Sequence, residues 1–231
     1  MDRKGKHSRA ETQAVRDSRE HLVRIPAEGV ILEGALEIPA DAEGVVLFAH
    51  GSGSSRHSPR NNFVAQVLRA AGVGTLLFDL LTEKEDEVYE TRFDIDLLTR
   101  RLIAATFWFM KEPQYRGLAV GYFGSSTGAA SALRAAAELG AVIGAVVSRG
   151  GRPDLAGGAL PHVQSPTLLI VGGDDLPVID LNRQAYDQMK VERELKIIPG
   201  ATHLFEEPGT LEEVARLAAD WFKRHLHVKQ S

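Results

Sequence analysis

From residue 21 onward the chain keeps one rhythm: short runs rich in Val, Ile and Leu alternate with stretches of helical period, with Gly, Pro or Asn at the boundaries. Apolar runs of four to eight residues suit strands, and strands separated by helical stretches return in the same direction. The rhythm therefore predicts an α/β architecture, a mostly parallel sheet with helices on both faces. Eight strands are expected, over residues 22–25, 29–38, 44–50, 74–80, 118–123, 142–147, 167–171 and 194–198, the first two as a hairpin-like pair. The later runs are apolar throughout, as in strands covered on both sides. Helices are expected over 62–71, 94–111, 127–139, 180–190 and 211–226. In the last, Thr210 and Glu213 have capping-box spacing, and Val214, Leu217, Ala218, Trp221 and Phe222 follow at the intervals of one helix face.

With 231 residues, 44% of them apolar and 25% charged, the chain is sized and composed for one globular domain over 21–231. Residues 1–20 hold six Lys or Arg, four Asp or Glu and almost no large apolar side chain, so a disordered tail is expected there. That segment lacks the continuous apolar stretch of a signal peptide, which makes a cytoplasmic location the expectation. The absence of Cys removes disulfide frameworks, thiolate metal sites and a cysteine nucleophile. Its 27 basic against 31 acidic residues give a net charge of −4 with no long basic stripe, so no nucleic-acid partner is expected. The longest apolar runs, such as 141–147, fall far short of a membrane span. His225 and His227 lack partners at ligand spacing, and no P-loop or dinucleotide glycine pattern occurs, so neither metal nor cofactor is expected. Composition leaves monomer and homodimer open.

Chemistry concentrates in the segment Gly124-Ser125-Ser126-Thr127-Gly128, which joins an apolar run to an alanine-rich helix and fits G-x-S-x-G with Ser126 at the centre. So sharp a strand-to-helix turn strains the central residue and lifts its side chain above the sheet, while the flanking glycines avoid Cβ clashes. Taken alone the segment also fits a glycine-rich turn with a capping serine. Residues further along the chain favour the sharper interpretation, because an acid and a base should come after the nucleophile, in that order, each beyond a later strand. Asp175 ends the run Ile170-Val171-Gly172-Gly173-Asp174-Asp175, and His203 lies beyond the final strand. His203 would take the Ser126 proton and pass it to the leaving group, and Asp175 would hold the imidazole in the right tautomer. Two backbone N–H groups should receive the developing negative charge, that of Thr127 after the nucleophile and that of Ser52 in the loop after the third strand. His50 in that loop is expected to brace it. Arg56 and Arg149 could meet an anionic substrate, and Asp154, after the sixth strand, fits a turn or capping role.

Through HGSGSS at His50, GYFGSSTGAA at Gly121, IVGGDD at Ile170 and GATHLFEEPG at Gly200, the chain resembles the α/β-hydrolase superfamily, and within it the dienelactone-hydrolase-like group, over roughly residues 22–226. The best-known dienelactone hydrolases carry cysteine where this chain has Ser126. The resemblance implies an α/β-hydrolase fold and a cofactor-free serine hydrolase that cleaves small carboxylic esters through an acyl-Ser126 intermediate. In chains with the Gly-Gly-x-Asp pattern the acid stands two places after the second glycine, which selects Asp175 over Asp174. Thioesterase, amidase and acyltransferase chemistry share the same triad, and a non-catalytic ligand-binding member of the fold is the alternative from another class. The connection from about residue 149 to 166 is too short for an inserted cap domain, so short acyl chains are the expected substrates. The charged segment 82–92 is expected to be a solvated loop.

Overall fold

The computed structural model describes residues 20–227. The expected tail over 1–20 lies outside that range apart from Glu20. Every expected strand is present: β1 (His21–Ala27), β2 (Val30–Glu37), β3 (Gly44–Ala49), β4 (Gly74–Phe78), β5 (Ala119–Ser125), β6 (Ile143–Arg149), β7 (Thr167–Gly172) and β8 (Arg193–Ile198). They form one sheet in the order β1-β2-β4-β3-β5-β6-β7-β8. The pairs β1–β2 and β2–β4 are antiparallel and all others parallel. The helices are α1 (Pro59–Ala70), the short α2 (Glu83–Asp86), α3 (Ile95–Lys111), α4 (Thr127–Leu139), α5 (Leu176–Gln188) and α6 (Thr210–His225).

Continuous apolar strands follow from having two covered faces. In β3, Val45, Leu47 and Ala49 enter the core beneath α3 and α4, whereas Val46 and Phe48 enter the core beneath α1 and α6. The sheet edges carry the alternation that the interior lacks. β1 alternates exposed and buried residues and tolerates Pro26, whose missing N–H matters least on an edge strand. β8 exposes Lys196, paired to Glu194 at 3.0 Å, and Arg224 of α6 reaches the same glutamate.

Topology fixes where the chemistry can sit. The chain leaves β3 through α1 on one face and reaches β4, then crosses to the far side of β3 through α3 on the other face. The continuations of the neighbours β3 and β5 thus diverge, α1 to one face and α4 to the other, and open a crevice above the carboxyl ends of these strands. At the far end of the sheet, His227 Nδ1 lies 3.0 Å from Glu43 Oε2, just ahead of β3.

Three local expectations are corrected. The capping box on α6 does not form: Gly209 takes the N-cap position at φ 83°, Thr210 Oγ1 donates to Glu207 O at 2.7 Å, and Glu213 pairs with Arg216. Glycine in the left-handed region turns the chain so that no side-chain cap is needed. α5 starts at Leu176, ahead of residue 180, because Pro177 in the first turn gives up an N–H that has no helical partner anyway. Segment 82–92 is not a plain loop: α2 is closed by a capping box between Thr82 and Glu85, a 3₁₀ turn follows over Glu90–Phe93, and Glu85 meets the buried Arg101 at 2.7 Å. Between β6 and β7 the chain makes only 3₁₀ turns over Pro153–His162, with no inserted cap domain. Among the described residues no helix is long and apolar enough to cross a membrane.

Candidate active site

Ser126 links β5 to α4 at φ 50° and ψ −123°, in a region that side-chain-bearing residues rarely occupy. The surroundings over-determine this conformation. Ser126 N donates to Arg149 O at 3.3 Å, and Ser126 O accepts from Arg152 N at 3.0 Å and from Ala129 N at 3.1 Å. The two motif glycines are steric requirements: a Cβ on Gly124 would stand 2.5 Å from Ala129 Cα, and one on Gly128 only 2.1 Å from Ala49 O. Strand and helix can then meet closely enough for the turn to hold its strain. The half-buried Ser126 side chain sits beside Gly51, whose own Cβ would come within 3.0 Å of Ser126 Cβ.

The histidine loop is brought in by a second close passage. A Cβ on Gly172 would meet Ala201 O at 2.4 Å, so the loop after β8 can cross the end of β7 only over glycine. Gly173 N donates to Ile198 O at 2.8 Å and Asp174 N to Ala201 O at 3.0 Å, fixing that crossing. His203 Nδ1 then lies 2.7 Å from Asp175 Oδ2. Asp175 occupies the N-cap position of α5 without capping it, so its carboxylate is committed to the imidazole. Asp154, the acid that follows β6, is gripped by Arg152 through two hydrogen bonds of 2.8 Å. The His203 ring rests over Gly150, from whose Cβ position His203 Cε1 would be 3.7 Å away. Among the described residues the Ser126 hydroxyl makes no hydrogen bond; catalytic hydrogen bonds often form only when substrate binds. Sequence reasoning missed Phe205, which is buried and held at φ 56° two residues beyond His203; an aromatic residue carries no sequence signal for positive φ.

Of the two expected charge-stabilising residues, Ser52 N donates to Thr127 Oγ1 at 3.0 Å, which holds the loop after β3 against the start of α4. His50 braces the loop from beneath. Leu80 N donates to His50 Nε2 at 2.9 Å, so Nε2 carries no proton and Nδ1 donates to Gly51 O at 3.0 Å. Burial pushes its pKa below the usual imidazole value, consistent with this neutral tautomer.

The two arginines expected to meet anions lie apart. Arg56 pairs with Asp79 and with Glu33, tying the loop after β3 to β4 and β2. It lines a cavity of about 700 Å³ together with Ser54, Leu81, Thr82, Lys84 and Asp86. Arg149 instead is buried at the end of β6, and its Nη2 reaches Asn61 Oδ1 at 3.4 Å. Burial, then Arg60, lowers its pKa to about 10. Among the described residues no group of three or more His, Asp or Glu side chains is placed to hold a metal ion.

Known proteins share this fold to different depths. The dienelactone hydrolase family matches residues 40–229. A crystal structure of dienelactone hydrolase from Anabaena variabilis ATCC 29413 is 56% identical, with a TM-score of 0.89 over 90% of this chain and 99% of that one. Est1E from Butyrivibrio proteoclasticus shares the fold at 17% identity, with a TM-score of 0.75 over 88% of this chain and 98% of that one. The Mycobacterium tuberculosis H37Rv protein named "Putative phosphoribosyl transferase Rv0571c" is 55% identical over 208 residues, which are 90% of this chain and 47% of that protein. The chain thus spans about half the length of the curated relatives it matches. A match over so much of the chain, on an eight-stranded sheet of this order, leaves one assignment: the chain has the α/β-hydrolase fold and belongs to the dienelactone hydrolase family.

Proposed function

We propose that the protein is a serine hydrolase that cleaves small carboxylic esters through an acyl-enzyme at Ser126. The observation that carries this is the pairing of His203 Nδ1 with Asp175 Oδ2 at 2.7 Å, with the ring against Gly150, the residue after the Arg149 whose carbonyl accepts from Ser126 N. With Nδ1–H donated to the carboxylate, Nε2 is left basic. It removes the Ser126 proton as Oγ attacks the ester carbonyl carbon, and the charge on the carbonyl oxygen is met by the N–H groups of Thr127 and Ser52. The imidazolium then protonates the departing alkoxide, and water repeats the sequence to release the acid. Asp175 orients the ring and stabilises its charged form throughout.

The short β6–β7 connection leaves no cap to enclose a long acyl chain, which favours small substrates. The transferase named for the mycobacterial relatives belongs to proteins about twice as long as the matched region, and we place that activity outside it. A small-molecule ester is the proposed partner, with a cytoplasmic location and no nucleic-acid or membrane partner. Covalent labelling by a fluorophosphonate tests the mechanism. Wild type should label at Ser126 and Ser126→Ala should not, with a fall in kcat of several orders of magnitude. Labelling retained in Ser126→Ala, or lost only in Ser125→Ala, would overturn it.

A further inference from the structure

Arg149 carries a charge that the fold does not balance. It is 8% exposed, its Nε and Nη1 have no hydrogen-bond partner, and its one contact, to Asn61 Oδ1, is long at 3.4 Å. Among the described residues no acid forms a salt bridge with it. The charge that bears on it is Arg60, of the same sign. Arg60 is itself incompletely satisfied, with Nε buried and unpartnered while Nη1 takes the largely exposed Glu206 at 2.9 Å. Arg60 belongs to the first turn of α1 and Arg149 reaches Asn61 of the same turn; this 12-residue helix is capped by Ser58 and has no acid in that turn, so its positive end adds to the two charges.

A buried cation short of acceptors is strongly destabilising unless something supplies them. Water could accept the hydrogen bonds but not balance the charge; an anion does both. The three unpartnered nitrogens, Nε and Nη1 of Arg149 and Nε of Arg60, belong to two guanidiniums on different elements, β6 and the first turn of α1, so the donors carry two charges and are not one planar fork. A carboxylate takes donors in its own plane, whereas a phosphoryl group offers three oxygens in a tetrahedral spread and up to two charges for two cations. The place is next to the nucleophile: Arg149 pairs in register with Ser125, and its carbonyl holds Ser126 N. Arg56 is not part of it, its charge being met by Asp79 and Glu33.

We propose that Arg60, Arg149 and the N-terminus of α1 form a phosphoryl-binding subsite beside the elbow, so that the ester cleaved at Ser126 carries a phosphate group elsewhere in the molecule. The subsite stands on its own geometry, and only the link to ester cleavage rests on the proposed function. Thermal unfolding of the full chain at fixed ionic strength tests it, with inorganic phosphate, acetate or chloride as the anion. At ten times a Kd of about 1 mM, phosphate should raise Tm by about 3–5 °C over chloride. Arg149→Met should have a higher Tm than wild type in chloride, because an unbalanced buried charge is replaced by an apolar side chain of similar length, and should lose the phosphate shift. Arg60→Gln should lose the shift too.

No phosphate shift in wild type, an equal shift with acetate, or a shift that survives in either variant overturns the subsite. So does a Tm for Arg149→Met below wild type in chloride, which would mean the fold already balances the cation. These outcomes are independent of Ser126 chemistry. Phosphate binding without fluorophosphonate labelling keeps the subsite and removes the esterase assignment; labelling without phosphate binding does the reverse. If both hold, phosphate should raise KM for ester hydrolysis with kcat unchanged.

Discussion

Replacing Ser126 separates the cost of its backbone from the use of its side chain. At φ 50° and ψ −123° a Cβ crowds the neighbouring peptide groups, and holding a non-glycine residue in such a region costs about 1–3 kcal/mol. Glycine escapes that crowding but surrenders more chain entropy on folding, about 0.5–1 kcal/mol. The hydroxyl makes no hydrogen bond among the described residues, so Ser126→Ala, which keeps Cβ, should match wild type in stability. Ser126→Gly should then exceed Ser126→Ala by about 1 kcal/mol, a gain of about 2–4 °C in Tm for a chain of this size. Both variants lose the proposed nucleophile, so the two differ in strain and not in chemistry. The assay is urea unfolding of the pair at one pH, with the midpoint compared at constant m. A glycine variant no more stable than the alanine variant, at equal m, would refute the claim that the elbow stores strain.

Three further outcomes are expected. Asp175→Asn should keep the fold and lower kcat by up to about 10⁴, because the imidazole loses its tautomer, while Asp174→Asn and Asp154→Asn stay far milder; equal damage at Asp174 would relocate the acid. His50 is held below its unfolded pKa, so unfolding takes up a proton in mild acid. Its contribution is complete above about pH 6.5 and is lost as pH falls through the folded value; the unfolding free energy should decline between pH 7.5 and 5.5 more steeply in wild type than in His50→Gln, and equal slopes would count against it. In a p-nitrophenyl ester series, kcat/KM should stop rising beyond about six acyl carbons, since an uncapped pocket cannot keep adding about 0.8 kcal/mol per methylene; a continued climb past about ten carbons would contradict the open crevice.

The sheet was legible in the sequence because its strands are covered on both faces, so their apolar runs are continuous and bounded by glycine. The proposed roles of Ser126, Asp175 and His203 rest in the sequence on their order along the chain, and the fold adds the approach of His203 to Asp175. The glycines at 124, 128 and 172 could be assigned to close passage, but only the folded chain shows what they pass: Ala129, Ala49 and Ala201. Helix starts were less legible. Thr210 and Glu213 have the spacing of a cap, yet Gly209 in the left-handed region made one unnecessary. The charge run at 82–92 looked solvated because sequence spacing does not reveal that Arg101, 16 residues beyond Glu85, is buried against it. Arg56 and Arg149 looked alike in sequence. Their partners separate them, two carboxylates for one and a single amide oxygen for the other.

The parallel strands give the molecule two unlike poles. All the proposed catalytic groups hang from the carboxyl ends of β3, β5 and β7 and from the loop after β8. The described chain enters and leaves at the other pole: His21 pairs with Leu36, level with the early part of β4, and His227 lies against Glu43 at the foot of β3. Turns at the rear, such as Gly72 and Gly117, both at positive φ with open space around them, can be lengthened without moving a proposed catalytic atom. Growth at one pole and the proposed chemistry at the other is a division of labour built into the strand direction.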